Sequence, residues 1–316
     1  MTTPTPMLSV VIPAYNAAET VGATLSSVFE PLRGGAAISV EVIVVDDGSR
    51  DAEALAAAVA HWPDVRLLRH AENKGMCAGR NTGLFASRGR VVTILDADDR
   101  FVPDWPDVFS ALMAEWPSNL DVCWAGCVNL RGETTLSHPN YTGQMTRDDF
   151  LAERFTGEYI PMFRGDFIRA RGYIDLGTRK SCGLLSYLTF IQSGPFWLSA
   201  RVLRIYDDGS VGSVTSGWSK AEKARESAIC MRRVMDTFGE QYRALDRRAW
   251  GGKYLRLAVY TRLAGEPGAW AAFAKGARAG GVAEKVGAFL VLLLGRRFCV
   301  AAVGLAKKLG VIKRYG

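Results

Sequence analysis

The sequence predicts an α/β fold in which helices flank a mixed, mainly parallel sheet, followed by an α-helical C-terminal extension. Three observations predict this architecture. Short apolar runs alternate with helical patterns over residues 8–95, polar residues gather where those runs end, and basic residues accumulate beyond residue 216. Because strands that alternate with helices form parallel sheets with right-handed crossovers, the first part of the chain should be Rossmann-like.

The composition is that of a globular protein with a hydrophobic core. Of the 316 residues, 48% are hydrophobic and 22% are charged. The chain has three histidines and six cysteines, and no two cysteines form a C-x-x-C pair, which disfavours a zinc cluster and favours a reducing, cytoplasmic location. The first residues lack the basic and apolar regions of a secretory signal, so none is expected.

The net charge of +7 is divided unequally along the chain. Residues 217–316 contain 20 Lys and Arg against 7 Asp and Glu, a net of +13, which leaves −6 for residues 1–216. We therefore expect two domains with different partners, residues 1–216 and residues 217–316. No zinc finger, RNP-like segment or clear helix-turn-helix is present, so anionic lipid is favoured over nucleic acid as the partner of the basic part.

Two apolar runs predict the first strands. Leu8–Pro13 is short, rich in β-branched residues and ended by a proline, and a helical pattern follows over residues 19–30. Val40–Asp46 repeats the strand pattern and ends in two adjacent carboxylates, Asp46 and Asp47. Each run is therefore a strand that leads into a loop with polar residues.

The fourth apolar run breaks off into three carboxylates. After a third short strand, a small-residue helix over 77–87 leads to the run 90–95, which is typical of a strand buried on both faces. Asp96, Asp98 and Asp99 follow it directly. Three acids this close repel one another unless a cation lies among them, and oxygen ligands suit Mg²⁺ or Mn²⁺. An acidic loop in solvent is the alternative.

Because the carboxyl ends of parallel strands meet at one edge of a sheet, the polar residues near these ends should line one crevice. They are Pro13, Tyr15, Asn16, Asp46, Asp47, Arg80, Asn81, Asp96 and Asp98. No G-x-G-x-x-G follows the first strand and no G-x-x-x-x-G-K-[ST] occurs, which disfavours a dinucleotide site and a P-loop. Carboxylates that bind a base or ribose, beside a metal-bridged diphosphate, suit a nucleoside diphosphate.

Four segments in order carry a resemblance to a known family. They are S-V-V-I-P-A-Y-N (Ser9–Asn16), V-V-D-D-G-S (Val44–Ser49), N-K-G-M-C-A-G-R-N-T-G (Asn73–Gly83) and I-L-D-A-D-D (Ile94–Asp99). Together they resemble the family 2 glycosyltransferases, which have the A-type nucleotide-sugar transferase (GT-A) fold. Residues 1–216 would then form a domain that binds both a nucleotide sugar and an acceptor.

The resemblance implies roles for residues of the crevice. Four of them would surround uridine or another base: Pro13, Tyr15, Asp46 and Asp47. Arg80 would approach the diphosphate, while Asp96 and Asp98 would form the D-x-D element, with Asp98 nearest the metal. Packing of Tyr15 within its loop and a salt bridge from Arg80 to Asp96 are the alternatives.

The general base expected from the family is missing from its usual place. Members usually carry Glu-Asp at the start of a helix, and the equivalent place falls near Cys182-Gly183, where there is no carboxylate. Four other carboxylates could take the role, each with a solvated or capping side chain as the alternative: Asp175, Asp208, Asp207 and Glu158. We name Asp175 first, as the nearest upstream carboxylate in the family-like segment, and Asp208 second.

The resemblance implies an inverting, metal-dependent glycosyltransferase of the hexosyl- or N-acetylhexosaminyl-transferase class. It would move one sugar from a nucleoside diphosphate sugar, with a UDP-sugar as the expected donor, to a glycan or to an acceptor on a polyprenyl diphosphate lipid. The setting would be envelope polysaccharide or exopolysaccharide biosynthesis. The missing Glu-Asp pair motivates a competing hypothesis, a catalytically inactive GT-A-fold subunit that scaffolds a polysaccharide assembly complex. The D-x-D cluster favours the enzyme, because a scaffold has no donor to bind.

Two apolar segments near the end predict the position of the extension. Gly287–Gly295 and Phe298–Ala306 are separated by Arg296-Arg297 and followed by Lys307-Lys308. Each is far shorter than the roughly 20 residues that a membrane-spanning helix needs. We therefore expect peripheral attachment at the inner face of the cytoplasmic membrane. A helix pair packed on the catalytic domain is the alternative.

Overall fold

A computed structural model describes residues 4–35, 38–207 and 220–308, with side chains described as far as Gly295. The chain divides into two compact units. The first comprises Met1–Ser181 and Thr189–Ser210, and the second comprises Cys182–Leu188 and Val211–Gly316. The predicted domain boundary between residues 216 and 217 lies outside the described residues.

Nine strands form one sheet in the described part of the first unit. They are β1 (Leu8–Ala14), β2 (Val40–Asp46), β3 (Val65–Arg69), β4 (Val91–Ile94), β5 (Arg100–Phe101), β6 (Val122–Asn129), β7 (Gly143–Met145), β8 (Tyr159–Arg164) and β9 (Phe196–Tyr206). Their order is β3-β2-β1-β4-β8-β6-β9-β5, and β7 pairs with β9. The central position of β1 and β4 places the carboxyl ends of these two strands side by side.

The mixed α/β sheet predicted from the sequence is confirmed, and the pairs among its first four strands are all parallel. β1 pairs in parallel with β2 and β4, and β2 pairs in parallel with β3. β8 then enters antiparallel to β4 and β6, and β9 runs antiparallel to β5 and β7 but parallel to β6. Residue patterns reveal a strand and its burial, but the direction of a strand depends on neighbours distant in sequence.

Among the described residues before residue 191 there are seven α-helices and a short 3₁₀ helix, Glu30–Gly34. The α-helices are α1 (Val21–Phe29), α2 (Ala52–Ala60), α3 (Met76–Ala86), α4 (Trp105–Glu115), α5 (Arg147–Leu151), α6 (Gly165–Arg171) and α7 (Gly183–Phe190). The small residues of α3 allow it to lie directly on the sheet: a Cβ at Gly83 would collide with the side chain of Val11 in β1. α4 buries Trp105, Phe109 and Leu112, which share one face at helical spacing.

The described part of the second unit is α-helical, as predicted for the extension. Besides the first six residues of α7, it contains α8 (Ala221–Leu245), α9 (Arg247–Ala264), α10 (Ala269–Ala277) and α11 (Val282–Lys308). Their buried contacts include Ala228, Leu257 and Leu292. The backbone of α11 is not helical at Gly295, where φ is 69° and ψ is −163°. Among the helices described here, none is long and apolar enough to cross a membrane.

Candidate active site

The loops after β1 and β2 start side by side, because Ala14 is paired with Asp46 in the parallel register. The Asn16 N–H donates to Ser49 Oγ at 2.9 Å, and the Arg50 N–H donates to Asn16 Oδ1 at 2.9 Å. Asn16 has a φ of 53°, a left-handed conformation that asparagine tolerates better than most residues. These bonds join the two loops into one surface.

Tyr15 and Asp46, two residues predicted to surround a base, differ in their access to solvent. The side chain of Tyr15 is 44% exposed, so its ring is accessible to a ligand. Asp46 is fully buried, and its carboxylate accepts from the Ser49 N–H and from Arg69 Nε, both at 2.8 Å. Asp46 therefore holds the turn after β2 together, and its predicted contact with a base stays a prediction.

Asp47 connects the turn after β2 with the start of α3. Its carboxylate accepts from the Lys74 N–H at 2.9 Å and from the Gly75 N–H at 2.8 Å. His70 Nδ1 lies 2.7 Å from Asp47 Oδ1. Sequence reasoning missed His70, because no motif marks it. A Cβ built on Gly79 would lie 3.8 Å from the Cβ atoms of both Pro13 and Asp47, so α3 brings these two residues together.

Arg80 on α3 links this surface to the end of β4. Its Nη2 lies 3.2 Å from Asp96 Oδ1, so the salt bridge considered from the sequence is present. The guanidinium also lies 5.6 Å from the centre of the Tyr173 ring. Asn81 donates to Tyr173 O at 2.8 Å and accepts from the Tyr173 N–H at 2.6 Å. Asn81 thus holds Tyr173 in place, and its predicted contact with the donor stays a prediction.

In the part of the chain that the structure describes, the three carboxylates after β4 do not form a group of three that could hold one metal ion, and the cation expected at Asp96 and Asp98 stays a prediction. Asp98 is exposed and the Asp96 side chain is 39% exposed, but Asp99 is buried. Asp99 Oδ2 lies 3.1 Å from Arg204 Nη1. The positive charges of Arg80 and Arg204 therefore reduce the electrostatic repulsion among these carboxylates. Arg204 was missed, although a buried arginine in a strand pattern is a sequence signal that marks a paired charge.

The two arginines also decide the charge state of Asp96. Burial by itself would raise the pKa of Asp96, but the positive charges of Arg80 and Arg204 and the hydrogen bond from Arg80 hold it below its usual value. In Asp99, burial raises the pKa of the carboxyl, while Arg204 opposes that shift. Asp96 is therefore ionised at neutral pH and can accept a cation.

The donor set at this turn suits a divalent cation that is shared with a ligand. In the described ranges no group of three or more His, Cys, Asp or Glu side chains is placed to hold a metal ion. Asp96 and Asp98 supply two carboxylates. Mg²⁺ and similar ions are commonly held by one or two carboxylates, with phosphate oxygens and waters completing the shell. The residues present fit such an ion.

The candidate general bases lie in different surroundings. Asp175 is exposed and accepts from the Gly177 N–H at 2.8 Å, in the loop that Asn81 anchors. Asp208 lies outside the described residues. Glu158 Oε2 lies 3.0 Å from Arg204 Nη2, and the Asp207 N–H donates to Asp99 Oδ1 at 3.4 Å. α7 begins at Gly183, so the position of the missing Glu-Asp pair is a helix start, as expected.

Comparison with known proteins identifies relatives of the first unit. Residues 9–171 match the sequence profile described as Glycosyl transferase family 2. The succinoglycan biosynthesis protein ExoO of Rhizobium meliloti (strain 1021) is 38% identical over 99 residues, 31% of this chain and 27% of that protein. The uncharacterized glycosyltransferase YibD of Escherichia coli (strain K12) is 33% identical over 151 residues, 46% of this chain and 42% of that protein. The chain spans less than half the length of these relatives.

Solved structures share the fold at low sequence identity. S. aureus TarS, solved as residues 1–349, superposes with a TM-score of 0.54 and 15% identity over 86% of this chain and 88% of that chain. The mannosyltransferase PcManGT of Pyrobaculum calidifontis, solved with GDP-Man and Mn²⁺, gives a TM-score of 0.53 and 20% identity over 99% of this chain and 83% of that chain. TarS has also been solved with UDP-GlcNAc. These likenesses confirm the GT-A type of fold.

Proposed function

Because the chain belongs to glycosyl transferase family 2, we propose that it is an inverting, metal-dependent glycosyltransferase that moves one sugar from a nucleoside diphosphate sugar to an acceptor hydroxyl. A UDP-sugar is the expected donor. One observation carries the proposal: the start of α3 is hydrogen-bonded to Asp47 through the Gly75 N–H, and Arg80 of the same helix pairs with Asp96. This continuity supports a single crevice for base, diphosphate and metal.

In this proposal different residues of the crevice bind different parts of the donor. Tyr15, Pro13 and Asp47 contact the nucleoside, and Arg80 faces the diphosphate. The guanidinium of Arg80 would stabilise the negative charge that develops on the leaving diphosphate, and its salt bridge to Asp96 holds it at the end of β4. Asp96 and Asp98 would hold Mg²⁺ or Mn²⁺, which supplies Lewis-acid stabilisation of the same charge when bound.

The acceptor hydroxyl loses its proton as it attacks the anomeric carbon. Inversion requires that the hydroxyl attack from the side opposite the leaving diphosphate, so we expect the general base on that side. Asp175 stays the first candidate and Asp208 the second. The exposure of Asp175, and its place in the loop that contacts α3, support the first choice.

Bacterial polysaccharide biosynthesis is the proposed setting. The similarity to the succinoglycan biosynthesis protein ExoO supports it. A growing glycan, or one carried on a polyprenyl diphosphate lipid, is the proposed acceptor.

An exposed apolar face in the second unit supports peripheral attachment to a membrane. Val282, Val286, Phe289 and Leu293 are exposed and recur at intervals of three or four residues, so they share one face of α11. The exposed Trp270 of α10 lies beside them, with its ring centre 6.0 Å from that of Phe289. An apolar helix face within a region of net charge +13 suits the interface of an anionic membrane, with the attachment proposed at the inner leaflet.

Calorimetry with UDP, in the presence and absence of Mn²⁺, tests the donor site. We expect the wild-type protein to bind UDP more tightly with Mn²⁺ and Asp98→Ala to lose that gain. Asp104→Ala is the matched control, since Asp104 is an exposed carboxylate nearby that makes no side-chain capping bond to α4. If wild type and Asp98→Ala respond equally to Mn²⁺, the assignment of the donor site is wrong.

Transfer from radiolabelled UDP-sugars distinguishes the enzyme from a scaffold. The purified protein should hydrolyse or transfer at least one donor, and Asp96→Asn should abolish this activity. Tight binding of UDP without turnover of any donor in a broad panel would favour the scaffold instead.

A further inference from the structure

Arg204 of β9 joins two carboxylates from distant parts of the first unit. Its Nη1 lies 3.1 Å from Asp99 Oδ2, and its Nη2 lies 3.0 Å from Glu158 Oε2. The side chains of Arg204 and Asp99 are each only 8% exposed, whereas that of Glu158 is 57% exposed. The buried guanidinium therefore lies behind the turn that follows β4 rather than on the surface that a donor would contact.

The buried pair determines the conformation of this turn. Asp99 closes it, since the Asp99 N–H donates to Asp96 O at 3.0 Å. The Asp207 N–H, from the residue after β9, also reaches Asp99 Oδ1 at 3.4 Å. A buried carboxylate is strongly disfavoured without a partner, so Asp99 stays where Arg204 can reach it. The position of the turn after β4 therefore depends on the position of β9.

Contacts from three separate elements hold the turn around Asp98, whose side chain is exposed to solvent. Arg80 of α3 lies 3.2 Å from Asp96 Oδ1, the Thr24 hydroxyl of α1 donates to Ala97 O at 2.9 Å, and Arg204 of β9 pairs with Asp99. Such an arrangement restrains the main chain at Asp98, and with it the position from which the Asp98 side chain extends, before any ligand binds.

We propose that Arg204 is a positioning residue that holds Asp98 ready for the divalent cation of a nucleoside diphosphate. The inference rests on the proposed function, because it assumes that the crevice binds a diphosphate with a metal ion. Arg204 acts through Asp99 and touches neither ligand. Glu158 supports it by holding the second guanidinium nitrogen, so the plane of the guanidinium is set from both sides. Residues that orient metal ligands typically change metal affinity or activity about 10- to 100-fold when they are replaced.

The test compares UDP binding with and without Mn²⁺ in Arg204→Lys. Lysine keeps the positive charge but lacks the planar fork that reaches two carboxylates at once. We expect the gain in UDP affinity from Mn²⁺ to fall about 10- to 100-fold, while UDP binding without metal stays unchanged. A residue that only stabilises the fold would weaken both kinds of binding or neither. Thermal unfolding confirms that each variant is folded at the assay temperature.

Glu41→Gln is the matched control. Glu41 is also a buried carboxylate paired with arginines, Arg66 and Arg88, but it lies near the start of β2, at the opposite edge of the sheet. It should lose stability and keep the full Mn²⁺ response. If Arg204→Lys does not fold, Glu158→Gln replaces it, because its more exposed side chain tolerates the change. Its Mn²⁺ response should be smaller than that of wild type.

The outcomes separate the two proposals. If wild type shows the Mn²⁺ gain and Arg204→Lys, or Glu158→Gln in its place, keeps it in full, Arg204 is not a positioning residue and the donor site still stands. If wild type binds no UDP, or binds it equally with and without Mn²⁺, the donor site is wrong and the role of Arg204 is wrong with it.

Discussion

The carboxamide of Asn81 is hydrogen-bonded to both main-chain groups of Tyr173, at 2.8 Å to the carbonyl and 2.6 Å from the N–H. These two bonds join α3 to the loop that carries Asp175. They also hold the Tyr173 ring 5.6 Å from the Arg80 guanidinium. Asn81, the residue next to Arg80, thus positions the loop that carries Asp175, the proposed base.

Replacing Asn81 with alanine should lower both the stability of the fold and the activity of the enzyme. Two buried main-chain groups would lose their partners, at a cost of about 1–3 kcal/mol each. We expect a lower free energy of unfolding in urea and a lower kcat/KM for the donor. Asn129→Ala is a suitable control, since Asn129 also bonds main-chain N–H groups, at Arg131 and Glu133. It should lose stability and keep UDP affinity. Unchanged kcat/KM in Asn81→Ala would contradict the connection.

The proposed base can be tested without disturbing donor binding. Asp175→Asn should bind UDP as wild type does but turn over about 10²- to 10⁴-fold more slowly, since it cannot accept the proton. Asp166→Asn, a fully exposed carboxylate on α6, should leave turnover unchanged. Steady-state transfer assays give the answer, and full turnover by Asp175→Asn removes Asp175 from the role.

Glu41 should make stability fall at acidic pH. Burial would raise its pKa, but hydrogen bonds from Ser9, Arg88 and Arg66 outweigh burial and hold the pKa below the ordinary 4.5. A carboxylate whose pKa is lower in the folded than in the unfolded protein stabilises the fold at pH values above its unfolded-state pKa. This contribution is lost as the pH falls through the folded-state pKa. In urea unfolding, the free energy of unfolding of Glu41→Gln should therefore fall less than that of wild type as the pH is lowered below about 4.5. Parallel pH profiles for the two proteins would refute this.

Two helical glycines, Gly83 in α3 and Gly22 in α1, differ in the space around them, and replacement by alanine should therefore change stability in opposite directions. A Cβ at Gly83 would collide with the Val11 side chain and lie 3.1 Å from Val45 Cγ2, so Gly83→Ala should destabilise by about 1–3 kcal/mol. At Gly22 in α1, no atom outside the adjacent residues and the neighbouring helix backbone lies within 4 Å of the place that an added methyl group would take, so Gly22→Ala should stabilise by up to about 1 kcal/mol. Calorimetric unfolding measures both, and a stabilised Gly83→Ala would show that α3 does not pack this closely.

The apolar face of α11 predicts vesicle binding by the full-length protein. Wild type should float with anionic liposomes at low salt, and Phe289→Asp with Leu293→Asp should reduce the floating fraction, because two charges enter the apolar face. Leu130→Asp, an equally exposed leucine after β6, is the control and should float as wild type does. Wild type that stays in the soluble fraction, or a double variant that floats equally well, would overturn the membrane attachment.

The N-terminal half of the fold could be predicted from the sequence because its information is local. Buried strands read as apolar runs, and polar residues after β1, β2 and β4 had to meet at one edge once those strands were parallel. The salt bridge between Arg80 and Asp96 is one of the alternatives that this reasoning offered. The family resemblance added the kind of ligand that such an edge binds.

Contacts between distant residues could not be predicted in the same way. Asp46 and Asp47 are neighbours of the same type, yet one pairs with Arg69 and the other with His70 and the start of α3. Asp99 looked like a third metal ligand until β9 brought Arg204 to it. Residue patterns encode burial and local geometry, whereas the partner of a buried charge depends on which strands meet when the sheet closes.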